Sequence, residues 1–130
     1  MSPGSRGSGI WACYNVGMKQ VAKLSVKELN EMAQNMYGNL VKAVVDINKK
    51  LVVVDAPMHV DLEQFLLEQG SAQSDIWGIN LHPAKFGTAD FIEFDSMINI
   101  RPRANNMSRS VQDPNIQNML RSIIAEVVHD

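Results

Sequence analysis

The residues best suited to chemistry concentrate on one alternating segment in the second half of the chain. In residues 91–101, FIEFDSMINIR, two carboxylates, an amide and a guanidinium occupy alternate positions: Glu93, Asp95, Asn99 and Arg101. Alternate side chains of an extended strand point to the same face of a sheet. The pattern therefore predicts a long strand with one polar face, and it predicts that Phe94 and Ile98 are buried on the other.

A second segment, residues 76–82, adds an amide and an imidazole to this polar face. Its alternation places Trp77 and Ile79 on one side of a strand and Asn80 and His82 on the other. If the two strands pair with matched faces, these polar groups form a hydrogen-bonding surface that contains no lysine. The alternative is an ordinary solvated face, whose cross-strand pairs stabilise a sheet by roughly a few tenths of a kcal/mol each.

The arginines are concentrated near the end of the chain. Four of the five lie within residues 101–130: Arg101, Arg103, Arg109 and Arg121. A guanidinium fork matches the geometry of a carboxylate or a phosphate, so this stretch is a candidate anion site. The linker over residues 102–112, PRANNMSRSVQ, is long for a compact domain. It either folds over a ligand on the polar face or is an ordinary surface crossover.

A second group of residues has the composition of a metal site. His59, Asp61 and Glu63 occupy alternate positions, but metal ligands must also converge in space. Asp61 has a simpler role as the N-cap of a helix, and Glu63 near a helix start interacts favourably with the helix dipole. We therefore predict neither a metal ion nor another cofactor.

Composition and motifs exclude several classes of protein. Twelve basic against fourteen acidic residues give a net charge of −2, whereas a nucleic-acid-binding protein typically carries an excess of positive charge. No apolar run approaches the roughly 18 residues of a membrane span, and no secretory signal is visible, so we expect a cytoplasmic location. The single cysteine, Cys13, excludes a disulfide framework. The sequence contains no phosphate-binding glycine loop, nucleophile elbow or dinucleotide fingerprint.

The chain divides into a short extension and one domain. Residues 1–17 are rich in glycine and serine and have no helical or strand period, so we predict a flexible N-terminal extension. The alternative is that Trp11 and Tyr14 dock on the domain or on a partner. Residues 18–130 are predicted to form a single domain.

Local signals within the domain predict three helices and two pairs of strands. Ser25 and Glu28 form a capping box for the first helix, and Asp113-Pro114 opens the last helix. Strands are predicted over 41–47, 51–56, 76–82 and 91–101, with a weaker edge strand over 19–24. The predicted fold is α+β: a four-stranded, mainly antiparallel sheet packed by three helices, in the order helix–hairpin–helix–hairpin–helix.

The strand over 51–56, LVVVDA, is apolar on both faces. One helix layer covers only one side of a strand, and Ile124 and Val128 broaden the apolar stripe of the last helix beyond one contact. A monomer that exposed these groups would carry a large apolar patch, so we expect a symmetric homodimer. The alternative is that the three helices divide between the two sheet faces and bury everything within one chain.

The domain resembles a family of small, functionally uncharacterised bacterial and archaeal proteins. The segments that carry the resemblance are NLVKAVVDI, HVDLEQFLLEQGS, DIWGINLHP and EFDSMINIRP. Together they cover nearly the whole domain from Met18 to Val128, and they imply kinship without implying a reaction. Orphan proteins of this kind also occur on mobile gene cassettes, an origin compatible with the unusual N-terminal extension.

Two functional hypotheses follow. The first is a non-catalytic oligomeric module that binds a small polar or anionic ligand or a partner protein, and that binds neither nucleic acid nor a membrane. Its predicted ligand-binding residues are Asn80, His82, Glu93, Asp95, Asn99, Arg101, Arg103 and Arg109. The second is a hydrolase-like enzyme in which His82, Glu93 and Asp95 act as acid, base or metal ligands.

Overall fold

The computed structural model describes residues 19–130 of the protein. The predicted extension over residues 1–17, with Trp11, Cys13 and Tyr14, lies outside the described residues.

In the described part of the chain, three helices form close to the positions that the local signals predict: α1 at Val26–Asn35, α2 at His59–Glu68 and α3 at Pro114–Val127. The capping box is confirmed at α1, where the Ser25 hydroxyl accepts a hydrogen bond from the Glu28 backbone N–H at 3.0 Å. The Glu28 carboxylate accepts one from the Ser25 N–H at the same distance. At α3, the Asp113 carboxylate accepts from the backbone N–H of Asn115 at 2.8 Å.

Within residues 19–130, seven strands form two sheets. Their bounds are β1 Lys19–Val21, β2 Leu24–Ser25, β3 Val41–Asp46, β4 Leu51–Val54, β5 Ile76–Leu81, β6 Ile92–Glu93 and β7 Val128–His129. The larger sheet has the order β1-β4-β3-β5-β6 and is antiparallel throughout, while β2 and β7 form a parallel pair. The α+β class is confirmed. The predicted four-stranded sheet and the helix–hairpin order are wrong, because β2 and β7 pair separately and because the larger sheet has five strands. The fifth is β1, where the weaker edge strand predicted over 19–24 forms over Lys19–Val21.

The helices divide between the two faces of the larger sheet. One core contains side chains of α1 and α3 together with Val52, Val54 and Trp77. The other core contains side chains of α2 together with Val53. Both faces of β4 are therefore covered within one chain, and Ile124 and Val128 are buried as well. A second copy of the chain is therefore not needed to bury these apolar side chains. The homodimer stays a prediction, but the burial of these residues no longer supports it.

The long strand predicted over residues 91–101 is wrong. Only Ile92–Glu93 forms a strand, and Met97–Asn99 forms a turn of 3₁₀ helix. As a result, Phe94 and Ile98 are only half-buried, in contrast to the full burial that strict alternation predicts. The polar face that this strand was expected to build is correspondingly broken.

Gly78 in β5 is the physical reason for this break. A Cβ atom at position 78 would lie 2.6 Å from the Cβ of Ser96 and 3.1 Å from a side-chain carbon of Ile98. The missing side chain lets the segment after β6 pack directly onto the face of β5. The chain therefore crosses the sheet face where sequence alternation predicted another edge strand.

Candidate functional site

The polar face of β5 carries a hydrogen-bonded group of three side chains. Asn80 pairs with Glu93 across β5 and β6, and its side-chain nitrogen donates to Glu93 Oε1 at 3.0 Å. Nε2 of His82 lies 3.1 Å from the same carboxylate oxygen. Hydrogen bonds from His82 and Asn80 lower the pKa of Glu93 below its ordinary value. The sequence-based expectation that these three residues come together is therefore correct.

Within this Asn80–His82–Glu93 group, only Glu93 is open to solvent, because Asn80 is buried. The Glu93 side chain is 47 % exposed, although the His82 side chain is only 16 % exposed. An ionised carboxylate can hold an imidazole in one orientation, as acid–base sites require. A general acid, however, needs a carboxyl group with a raised pKa in a partly dry environment, and Glu93 has the opposite properties.

Asp95 and Arg109 form a separate pair. Arg109 donates from Nε to Asp95 Oδ1 at 2.8 Å and from Nη2 to Oδ2 at 3.2 Å, which is the two-point geometry of a guanidinium on a carboxylate. Both side chains are exposed to solvent, so the pair contributes little to stability. Because Asp95 already occupies the guanidinium fork, Arg109 is less suited to binding a ligand than the sequence suggested.

Asn99 has a structural role in place of the predicted ligand-binding one. It is fully buried, and its side chain accepts from Gly78 N–H at 2.8 Å and donates to Gly78 C=O at 2.9 Å. The same amide nitrogen donates to Arg109 C=O at 2.9 Å. Asn99 thus supplies the backbone of Gly78 with the partners that a neighbouring strand would have given it.

Asn106 closes the arginine-bearing loop and was missed by sequence reasoning. Its buried side chain donates to the carbonyl groups of Asn99, Ser108 and Ser110 at 2.6 to 3.0 Å. Its backbone pairs with that of Arg101 in both directions, at 2.7 and 3.0 Å. No sequence signal distinguishes it from the neighbouring Asn105, which is exposed. The linker, for which the sequence left open a fold over a ligand or an ordinary surface crossover, is a hydrogen-bonded loop.

Arg101 lies at the root of this loop and is fixed by the protein. Its Nε donates to the carbonyl of Ile98 at 3.1 Å, and its Nη2 donates to the carbonyl of Ile76. The guanidinium carbon lies 4.5 Å from the centre of the Trp77 ring. Nη1 is buried without a hydrogen-bond partner.

The charge of Arg101 is only partly balanced. Burial lowers its pKa from the ordinary value, whereas the carboxylates of Glu63 and Asp75 act in the opposite direction. Within residues 19–130, however, Arg101 forms no ion pair with either carboxylate.

Arg101 and Arg103 share one cleft, which we call the Arg101–Arg103 cleft. Its volume is about 580 Å³, and its lining residues are Gln73, Ser74, Ile100, Arg101, Pro102, Arg103 and Ala104. Arg103 is exposed and forms no ion pair within the described part of the chain. Gln73 and Ser74 were not predicted as site residues, because their approach to Arg101 depends on the path of the connection between α2 and β5.

The residues that resembled a metal triplet do not converge. Nε2 of His59 lies 2.7 Å from the carbonyl of Ile79, and burial lowers the pKa of His59 to about 4. Glu63 is buried, while Asp61 is exposed and is not the N-cap, because α2 begins after Met58. Within residues 19–130, no three His, Cys, Asp or Glu side chains are placed to hold a metal ion.

A family model described as "Protein of unknown function (DUF5674)" matches residues 18–127. The chain belongs to this family. The predicted kinship with an uncharacterised family is confirmed, and membership in it assigns no reaction. No curated protein and no solved structure shows significant similarity to the chain. Among the described residues, no helix is long and apolar enough to cross a bilayer.

Proposed function

We propose that this DUF5674 protein is a non-catalytic module that binds a small anion in the Arg101–Arg103 cleft. The observation that carries the proposal is that two arginines line one cleft and that neither forms an ion pair within residues 19–130. A volume of about 580 Å³ lies within the usual range of small-molecule sites. Carboxylates and phosphates are the ligands that a guanidinium fork binds best.

The two arginines have different roles in this proposal. Arg101 is held in place by two backbone carbonyls and the Trp77 ring, so it provides a fixed positive charge at the cleft. Arg103 is exposed and keeps its donors for a ligand. Since Glu63 and Asp75 offset part of the charge of Arg101, we expect Arg103 to set most of the affinity.

The rigidity of the loop supports binding. Asn106 ties the loop to itself through three carbonyl groups, and the Arg101–Asn106 backbone pair closes it. A loop that is already ordered loses little conformational entropy when a ligand binds. The remaining polar lining, Gln73 and Ser74, offers an amide and a hydroxyl to the rest of the ligand.

The hydrolase-like alternative receives less support from the geometry. Its predicted residues divide between two separate contacts, Glu93 with His82 and Asp95 with Arg109. Glu93 has a lowered pKa and a solvent-exposed side chain, so it lacks the environment of a general acid. We therefore assign no reaction to this face.

Thermal denaturation in the presence of anions tests the proposal. We expect phosphate, sulfate or citrate, compared with chloride at constant ionic strength, to raise the melting temperature of the full chain. Arg103→Gln removes a charge-assisted hydrogen bond, so affinity should fall about tenfold or more. Lys27→Gln removes one positive charge on α1 and is the matched control. Equal stabilisation of wild type and Arg103→Gln would refute the proposal.

The proposal keeps two sequence-based expectations, a cytoplasmic location and a homodimer. A dimer would now have to use side chains that are exposed in the folded chain. Met97, Ile100 and Met107 are 64 %, 39 % and 65 % exposed. Ile100 also lines the cleft, so self-association through this residue and anion binding would involve the same loop.

A further inference from the structure

An apolar groove lies between α3 and the segment that precedes β6, away from the residues assigned to anion binding above. Its volume is about 310 Å³, and its apolar lining includes Phe86, Phe91, Ile92, Ile124, Ala125 and Val128. Phe91, Ile124 and Val128 are nearly fully buried and form its floor, whereas Phe86 is 37 % exposed. The groove is therefore an apolar depression with an accessible wall.

The two phenylalanines give the groove a defined shape. The rings of Phe86 and Phe91 pack edge to face, with their centres 5.2 Å apart and their planes at 90°. This arrangement is a favourable geometry for an aromatic pair. The segment between them is also tied down, because Thr88 donates from its hydroxyl to the carbonyl of Lys85 at 2.7 Å. Because the segment between Phe86 and Phe91 is already ordered, it does not have to rearrange when a ligand enters the groove.

A single positive charge lies in the lining of this groove. Arg121 on α3 is exposed, and its guanidinium carbon lies 5.0 Å from the centre of the Phe94 ring. Within residues 19–130, Arg121 forms no ion pair with a carboxylate. An apolar floor with one unpaired guanidinium is complementary to a molecule with an apolar body and one anionic end.

We infer that this groove binds a monocarboxylate with a short apolar tail. The tail would lie against Phe91, Ile124 and Val128, and the carboxylate would reach the fork of Arg121. A volume of about 310 Å³ is at the lower end of ligand sites, so a short chain fits better than a long one. This site is separate from the Arg101–Arg103 cleft, and either assignment can fail without the other.

Calorimetric titration of the full chain with hexanoate and octanoate, below their micelle concentrations, tests the inference. Each methylene that enters the groove should tighten binding about fourfold, until the groove is full. Hexanol and octanol have the same tails without the charge. We expect them to bind more weakly than the matching acids, because only the acid uses Arg121.

Two variants separate the tail from the carboxylate. Arg121→Gln should weaken octanoate about tenfold and leave octanol unchanged. Ala125→Phe fills the groove from the exposed side of α3 and should weaken both ligands. An unchanged melting temperature verifies that each variant folds. Lys27→Gln is the matched control, because it removes one exposed positive charge on α1 outside both sites and should not affect octanoate.

Three results would overturn the inference. The first is an affinity that does not depend on chain length, since this would mean that no tail enters the groove. The second is equal binding of octanoate to wild type and to Arg121→Gln. The third is an effect of Arg103→Gln as large as that of Arg121→Gln, which would assign the carboxylate to the Arg101–Arg103 cleft.

Discussion

Replacing Asn99 by alanine is the sharpest test of how this structure is held together. β6 pairs with β5 only at Asn80 and Leu81, so Gly78 has no strand beside it on that edge. The Asn99 amide takes the place of the missing strand by bonding both the N–H and the C=O of Gly78. Asn99→Ala removes these two bonds and a third to the carbonyl of Arg109.

The expected cost follows from the number of groups left without a partner. The buried N–H and C=O of Gly78 lose their hydrogen bonds, and each such loss costs about 1–3 kcal/mol, whereas the Arg109 carbonyl keeps a bond from the Ser96 N–H at 3.0 Å. We therefore expect Asn99→Ala to lower the free energy of unfolding by about 2–6 kcal/mol, a large part of the stability of a small domain. Asn99→Asp retains an acceptor for the Gly78 N–H but loses both donated bonds and buries a charge, so it should be at least as harmful.

Urea denaturation followed by circular dichroism measures this change. Asn118→Ala, an exposed asparagine on α3, is the matched control and should change the free energy of unfolding by less than about 0.5 kcal/mol. If Asn99 instead belonged to a ligand site, Asn99→Ala would unfold like wild type and would weaken binding only. A midpoint close to wild type would thus refute the structural role.

Three further predictions follow from buried or exposed groups elsewhere in the domain. Burial lowers the pKa of His59 from 6.5 to about 4, so between these pH values the unfolded chain takes up a proton that the folded chain does not. Stability should therefore fall by about 3 kcal/mol as the pH drops through this window, and His59→Gln, measured by the same urea titrations, should abolish the fall. Gly78→Ala places a Cβ 2.6 Å from that of Ser96, so it should lower the free energy of unfolding by about 1–3 kcal/mol or more, as measured by thermal denaturation. A variant more stable than wild type would contradict the close approach of the two segments. Light scattering at micromolar concentration should give about twice the 14.5 kDa chain mass if the predicted dimer forms, with Met107→Glu shifting it toward the monomer; a wild-type mass near that of one chain would exclude the dimer.

Much of the secondary structure could be predicted because its causes are local. Ser25 and Glu28 are three residues apart, and their two side chains satisfy N–H groups of the same helix turn. Asp113 and Pro114 likewise determine the start of α3 within two residues. Helix stripes and apolar strands follow from the same short periods. For this reason α1, α3, β3, β4 and β5 all lie close to their predicted positions.

The site could be predicted only in part. Asn80, His82 and Glu93 meet because β5 and β6 pair in register over two residues, which alternation alone anticipates. Beyond Glu93 the same alternation fails. It placed Asn99 on a polar ligand-binding face, whereas the side chain is buried against the backbone of Gly78.

The sequence by itself determined the helix caps, the strand segments and the apolar faces, because these depend on residues a few positions apart. Only the tertiary structure decided where the polar groups go. Asn99 meets Gly78 across 21 residues and Arg101 meets Ile76 across 25, and such contacts depend on how the chain crosses the sheet. That crossing requires the space left by the missing side chain of Gly78, into which Ser96 and Ile98 pack. Such a contact joins residues far apart in the chain, so a local sequence period cannot predict it.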